Sequence, residues 1–191
     1  QEHGAQDIVD MVSALTQLFR VGLSKGQEMI PLREELRHVE SYLFIQKVRY
    51  EDKFDYTIFI SPGIDQLRVL KVILQPLVEN AIYHGIKERR GKGHILVSAE
   101  REGPDLLLTV EDDGIGMPAD KLAQLQEELK SCYQLHTDSH KDWGEGGHIG
   151  FGARNVHERI FLNFGPDYGI TYQSTWGVGT RVTIRHPTIE V

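Results

Sequence analysis

The stretch LVENAIYHGI, residues 77–86, decides how this chain is to be read. Its apolar residues recur at helical spacing and predict a buried helix, yet it also carries Glu79, Asn80 and His84, with Lys87 just beyond. Asn80, His84 and Lys87 fall at i, i+4 and i+7, one stripe of an α-helix. That stripe borders the apolar face formed by Leu74, Leu77, Val78 and Ala81. Polar residues at the rim of a buried face suit a ligand pocket, because the apolar side anchors the helix while the rim reaches in. A solvated helix edge would give the same pattern. Glu79 points roughly 100° away from the stripe.

Toward the N-terminus, residues 7–21 and 32–51 read as helices. In the second, Leu32, Leu36, Val39, Leu43, Gln46 and Tyr50 alternate steps of four and three, a narrow seam of the coiled-coil kind. Pro31 suits an early helical position, and Glu34 and Glu35 favour the first turn. The seam fits a core-packing helix pair and a dimerising or signalling connector equally well. Toward the C-terminus, FDYTIFI (54–60) alternates like a strand and stops at Ser61-Pro62-Gly63. A helix is expected over roughly 65–84. HILVSAERE (94–102) and DLLLTVED (105–112) form a hairpin at Gly103-Pro104. Residues 119–131 read as helix, 132–149 as a polar segment containing glycines, and 153–163 as helix. GITYQST and GTRVTIRH make a second hairpin around Trp176-Gly177. Interleaved helices and strands, with hairpins among them, predict a two-layer α/β sandwich on a mixed, mostly antiparallel sheet.

Bulk properties narrow the function. The chain has 191 residues, a net charge of −7 and no long basic run, which disfavours nucleic-acid binding through a general electrostatic footprint. The single cysteine, Cys132, cannot close an internal disulfide and fits a reducing cytosol. No apolar run approaches the roughly 18 residues of a membrane span. The chain starts at Gln1, inside a sequence that already reads as helix, and so reads as a piece of something longer.

Three further stretches carry chemistry. EDDGIGM (111–117) ends a leucine-rich strand in carboxylates and then in Gly114 and Gly116. A carboxylate there can accept a hydrogen bond from an amino group while the bare backbone approaches a flat ligand closely. An ordinary acidic turn would look the same. GEGGHIGFGARNV (144–156) places five glycines in nine residues directly before a helix. Its free N–H groups and positive helix end suit phosphate, though a hinge would use the same glycines. It is neither a dinucleotide fingerprint nor a Walker loop. WGVGTRVTI (176–184) by itself is a glycine turn opening a strand. His136 and His140 have the i, i+4 spacing of a metal pair, but no third ligand lies nearby in sequence. One cysteine and no G-x-S-x-G elbow leave a nucleophilic hydrolase little support.

Taken in order, ENAIYHG, DDGIG, GFGARN and GVGT resemble the four boxes of the GHKL ATPases: gyrase, the Hsp90-type chaperones, histidine kinases and MutL. PLREELRHVESYLFIQKVRY, followed by LQPLVENAIYHGI and GFGARNVHERI, is similar to sensor histidine kinases of the LytS and YesM type over nearly the whole chain. The resemblance implies a Bergerat-type sandwich, with ATP between the helices and a lid spanning residues 117–149. Residues 1–52 would be the C-terminal part of a dimerisation or connector region, and 53–191 the catalytic ATP-binding domain. By motif position, Asp112 would bind the adenine amino group, Gly114, Gly116 and Met117 would close on the base, and Thr180 would help hold an adenine-side water. Asn80 would coordinate Mg²⁺. Gly150, Phe151, Gly152 and Asn155 would cradle the phosphate tail, with His84, Glu79 and Lys87 near the phosphates or metal. The implied reaction is transfer of the γ-phosphoryl of ATP to a histidine for relay to a response regulator. The implied setting is the cytoplasmic part of a homodimeric, membrane-anchored sensor.

The chain departs from that pattern in one respect. The PHFLFN-like helix that carries the phosphoacceptor histidine is missing, and His3 and His38 are the only histidines in the N-terminal helices. His38 lies in the later, non-acceptor part of the pattern. Two other readings compete. A hydrolytic GHKL ATPase needs an acidic base one helical turn before Asn80, where this chain has Pro76, so Glu79 would have to substitute. A degenerate nucleotide-binding scaffold would keep the fold without the chemistry.

Overall fold

The computed structural model describes residues 2–22, 27–51, 53–135 and 151–190. Gly150 and the His136/His140 pair lie outside them. The N-terminal part is a pair of packed helices, α1 (Glu2–Gly22) and α2 (Leu32–Arg49), with the short strand β1 (Met29–Pro31) before the second. The rest is built on a five-stranded sheet in the order β2–β4–β5–β7–β6. Its strands are β2 (Phe54–Ile60), β4 (Gly93–Glu102), β5 (Asp105–Asp112), β6 (Gly169–Thr175) and β7 (Gly179–Pro187). β2 runs parallel to β4, and every other pairing in this sheet is antiparallel.

Strand periodicity decides which face is covered. Ile95, Val97 and Ala99 of β4, Leu106, Leu108 and Val110 of β5, Tyr172 of β6, and Val182 and Ile184 of β7 are all buried. Over them lie α3 (Gln75–Asn80), α4 (Ala119–Leu135) and α5 (Phe151–Phe164), which contribute Leu77, Val78, Leu125, Leu129, Ala153, Val156 and Ile160 to one core. The alternate residues turn outward, where Arg181 Nε donates to Glu111 Oε2 across 2.8 Å. The result is the expected two-layer α/β sandwich with a mixed sheet.

The helix expected over 65–84 is shorter and of two kinds. Residues Arg68–Leu70 form β3, antiparallel to β1, and the helix begins only at Gln75. An apolar run such as Val69–Leu74 has no period of its own, and its strand partner lies about forty residues away in Met29–Pro31. Val72 then adopts φ 55°, a left-handed conformation rare for a β-branched residue, and Pro76 follows in the first helical turn. From Ala81 to Ile86 the helix continues with π geometry, and Lys87 N donates to Ile82 O across 2.9 Å, an i→i−5 bond.

The α2 seam is satisfied inside the chain: Leu32, Leu36, Val39, Leu43 and Gln46 are buried, with α2 set against α1, α3 and β2. Glu35, with no exposed surface, sits at the centre of that packing. Its Oε2 accepts from Val72 N at 2.7 Å, and its Oε1 accepts from Ile73 N at 2.8 Å and Leu74 N at 2.9 Å. These are orphan donors at the start of α3, which a carboxylate satisfies best. Burial pushes the Glu35 carboxyl above its usual range, while the three N–H groups and His38 pull it back. His38 Nε2 lies 2.6 Å from Gln75 Oε1, and Gln75 Nε2 donates to Glu79 Oε1 at 2.8 Å. Replacing Glu35 by Ala strands three buried donors, which should cost roughly 3 kcal/mol or more. Glu35→Gln keeps one acceptor oxygen and should cost less. Urea unfolding of both variants checks this, and an Ala variant as stable as the parent would show that the carboxylate holds nothing.

Candidate functional site

The three acidic residues at the end of β5 part ways in the structure. Glu111 turns outward to Arg181. Asp113 pairs with Arg89 Nη1 at 2.7 Å and accepts from His94 N at 2.7 Å. Asp112 alone continues the inward row of Leu106, Leu108 and Val110, so its carboxylate stands at the edge of the apolar core. Its Oδ1 accepts from Gly114 N at 2.9 Å. Burial pushes Asp112 up to about 6, and the neighbouring Asp113 and Glu111 add to the rise against the backbone N–H groups of Gly114 and Thr180.

The carboxylate fits because nothing else occupies its place. A Cβ on Gly85 would overlap Asp112 Oδ1, and one on Gly114 would overlap the backbone of Gly85. Gly116, at φ 67°, lies against the Thr175 carbonyl, and Gly179 lies against the Asp112 carbonyl. Ile115 N donates to Gly85 O at 3.2 Å, Met117 N to Ser174 Oγ at 2.8 Å, and Ser174 Oγ lies 2.9 Å from Thr180 Oγ1. The helix, the loop after β5 and the β6–β7 hairpin are thus locked backbone to backbone around one acid.

In front of them opens a cleft of about 280 Å³. Asn80, His84, Asp112, Gly116, Met117 and Thr180, all candidates from the sequence, line it. Asn80 hydrogen-bonds the Tyr172 hydroxyl, which burial pushes up to about 12 even though this bond opposes the rise. Lys87 is not on this wall. The π turn rotates it out of the stripe, to a smaller cavity with Tyr50, Lys53, Phe54, Ile82 and Ile86. Glu79 likewise does not line the cleft, its Oε1 being taken by Gln75 Nε2. Gly114 supports the floor from behind. Phe151 opens α5, where Gly152 packs against Pro76 at the start of α3, and Asn155 is exposed one turn further on. His38 is 3% exposed and is held at the α2–α3 contact by Gln75.

Sequence reasoning missed part of the wall. Gly85 signalled itself as a glycine inside a helix. Tyr83, Tyr172, Lys121 and Trp176 line the cleft from four different elements and had no shared spacing to reveal them. Among the described residues, no group of three or more His, Cys, Asp or Glu could hold a metal ion, and no helix is long and apolar enough to cross a membrane.

A mixed-sheet sandwich with an inward carboxylate, bare glycine floor and helix-borne asparagine defines a nucleotide-binding protein of the GHKL class. Profile comparison agrees, matching residues 65–190 to the histidine kinase-, DNA gyrase B-, and HSP90-like ATPases and residues 1–54 to a histidine kinase family. The chain belongs to the first of these families and carries its ATP-binding domain. It is 32% identical to the sensor histidine kinase BtsS of Escherichia coli (strain K12) over 177 residues, 93% of this chain and 27% of that protein. It is 30% identical to the sensor histidine kinase YesM of Bacillus subtilis (strain 168) over 182 residues, 95% of this chain and 28% of that one. The chain therefore spans about a quarter of the length of these relatives. In fold it is similar to the histidine kinase domain of the Erythrobacter litoralis EL346 blue-light activated histidine kinase, with a TM-score of 0.55 and 19% identity, covering 98% of this chain and 82% of that one. It is also similar to the catalytic domain of histidine kinase ThkA, with a TM-score of 0.54 and 20% identity, covering 84% of this chain and 95% of that one.

The Asp112 environment sets a testable pH dependence. The folded state holds this proton up to about pH 6, whereas an unfolded chain releases it near 4. Stability therefore falls as pH rises through that window. Asp112→Asn, which mimics the protonated acid, should stabilise the empty fold at pH 7 by about 2–3 kcal/mol and leave it unchanged below about pH 4. Urea unfolding at the two pH values checks this; an equal gain at both would refute it.

Proposed function

We propose that the cleft binds ATP with its base against Asp112 and Thr180 and its phosphates toward Asn80 and the start of α5. On this reading residues 53–191 are the catalytic domain of a two-component sensor histidine kinase, and residues 1–52 end its dimerisation or connector region. The observation that carries the reading is the placement of Asp112: a buried carboxylate, packed against Gly85 and Gly114, lines the same cleft as Gly116 and Asn80. An ionised carboxylate accepts from an exocyclic amino group, and a side-chain-free floor lets a flat base lie close. The carbonyl oxygen of Asn80 is a hard ligand suited to Mg²⁺. Bound Mg²⁺ would neutralise the phosphate charge. The chain's own contribution is to place the nucleotide, keep water from the base end through Leu77, Val110 and Leu125, and present the γ-phosphoryl to a histidine outside these residues. The phosphoryl group then passes to a response regulator.

The apolar residues Val9, Val12, Leu15 and Phe19, exposed on α1, support pairing of two copies in the full-length protein. Relatives named as sensor kinases support a cytoplasmic position behind a membrane-anchored sensor. A hydrolytic reading has less behind it. Pro76 occupies the position of the general base, and Glu79 is engaged by Gln75.

Titration calorimetry with a non-hydrolysable ATP analogue and Mg²⁺ tests this reading. The parent should bind, Asn80→Ala should lose the Mg²⁺ dependence, and Asp112→Asn should weaken binding at least tenfold, about 1.4 kcal/mol. Affinity for the parent should also fall below pH 6, where Asp112 takes up its proton, and this fall should be absent in Asp112→Asn. Incubated with γ-labelled ATP, the 191 residues should take up no acid-labile phosphate. Binding indifferent to Asp112 would overturn the assignment, and strong labelling would overturn the placing of the acceptor histidine outside these residues.

A further inference from the structure

We propose that Trp176 is the base-stacking residue of this cleft and makes it selective for purine nucleotides. This rests on the reading of the cleft as an adenine-nucleotide site. The sequence marked Trp176 only as the corner of a hairpin. In the structure it stands on the cleft wall together with Asp112, Met117 and Thr180, and it is 62% exposed.

Its place is set by backbone contacts on both sides. Before it, the Thr175 carbonyl lies against Gly116, so tightly that no side chain could stand there. After it, Gly177, at φ 79°, donates its N–H to Ile115 O at 2.7 Å. One residue further back, Ser174 Oγ accepts from Met117 N at 2.8 Å. The turn bearing the indole is therefore pinned to the loop that runs directly from Asp112. An indole on that turn, 62% exposed and lining the same cleft as Asp112, presents an apolar face to it.

The two groups read different features of a ligand. A carboxylate recognises a hydrogen-bonding edge and is blind to the width of the ring behind it. An aromatic face recognises ring area, and stacking on a base is stronger for two fused rings than for one. Asp112 and Trp176 together specify an amino-bearing purine, which neither does alone. Val178, also exposed on the same turn, lines the opposite surface with Glu111 and Arg181, so the indole is the apolar group of this turn that reaches the cleft.

The chain has two tryptophans, so a Trp143→Phe background leaves Trp176 as the sole indole. In that background ADP should change Trp176 emission saturably. Trp176→Ala should weaken AMP, ADP and the ATP analogue by the same factor, tenfold or more, because the lost contact is with the base. Trp176→Phe should retain most of the affinity, and the preference for ATP over CTP should shrink in the Ala variant. Trp176 is exposed, so an unchanged unfolding midpoint confirms that the variants fold. Should the parent bind no adenine nucleotide, or Asp112→Asn bind as well as the parent, the cleft reading itself fails. Should those hold while Trp176→Ala binds like the parent and emission stays unchanged, the stacking role alone is refuted.

Discussion

The contact on which the cleft depends is that of Gly85 with Gly114. Two backbones meet there without side chains between them, and the Asp112 carboxylate lies against both glycines. A β-carbon at Gly114 would meet the Gly85 backbone and one at Gly85 would meet the Asp112 carboxylate, so either would disturb the acid that accepts from Gly114 N. That closeness is also what removes water from Asp112 and raises its proton affinity. The π geometry of Ala81–Ile86 belongs to the same arrangement, since it carries Gly85 to the floor and turns Lys87 out of the cleft. Stability is given up at this point to hold a partly desolvated acceptor ready, a common feature of binding sites.

A second buried acid, likewise raised by burial, ties the N-terminal helices to the sandwich. Glu35 lies in the helix that precedes the sandwich, yet its carboxylate closes the start of α3, the helix that carries Asn80. His38 and Gln75 extend the link to Glu79, the residue next to Asn80. The strained Val72 sits where its N–H can reach Glu35, so part of the cost of that backbone is offset by charge-assisted hydrogen bonds. The seam residues of α2 thus serve the core of the same chain, and Glu79, hard to place on the helical wheel, has its partner on that side.

What could be read from the sequence alone was local in origin. Strand alternation in DLLLTVED already puts Asp112 on the side of Leu106, Leu108 and Val110, and turn residues at Gly103-Pro104 and Trp176-Gly177 mark both hairpins. Hence the fold class, the mixed sheet and the main candidates at both ends of the cleft were legible, because periods of two and 3.6 residues are written in neighbouring positions. What needed the folded chain was every decision taken between distant segments. Whether Val69 joins a strand or a helix depends on Ile30, 39 positions earlier, and Tyr172 and Trp176 meet Asn80 and Asp112 only after the sheet has brought β6 beside β7. The change to π geometry at Ala81–Ile86 coincides with the seating of Gly85 against Asp112, a contact between distant segments that helical spacing does not reveal. Composition and spacing determine what each segment prefers; contact between backbones with no room for a side chain decides how those preferences combine.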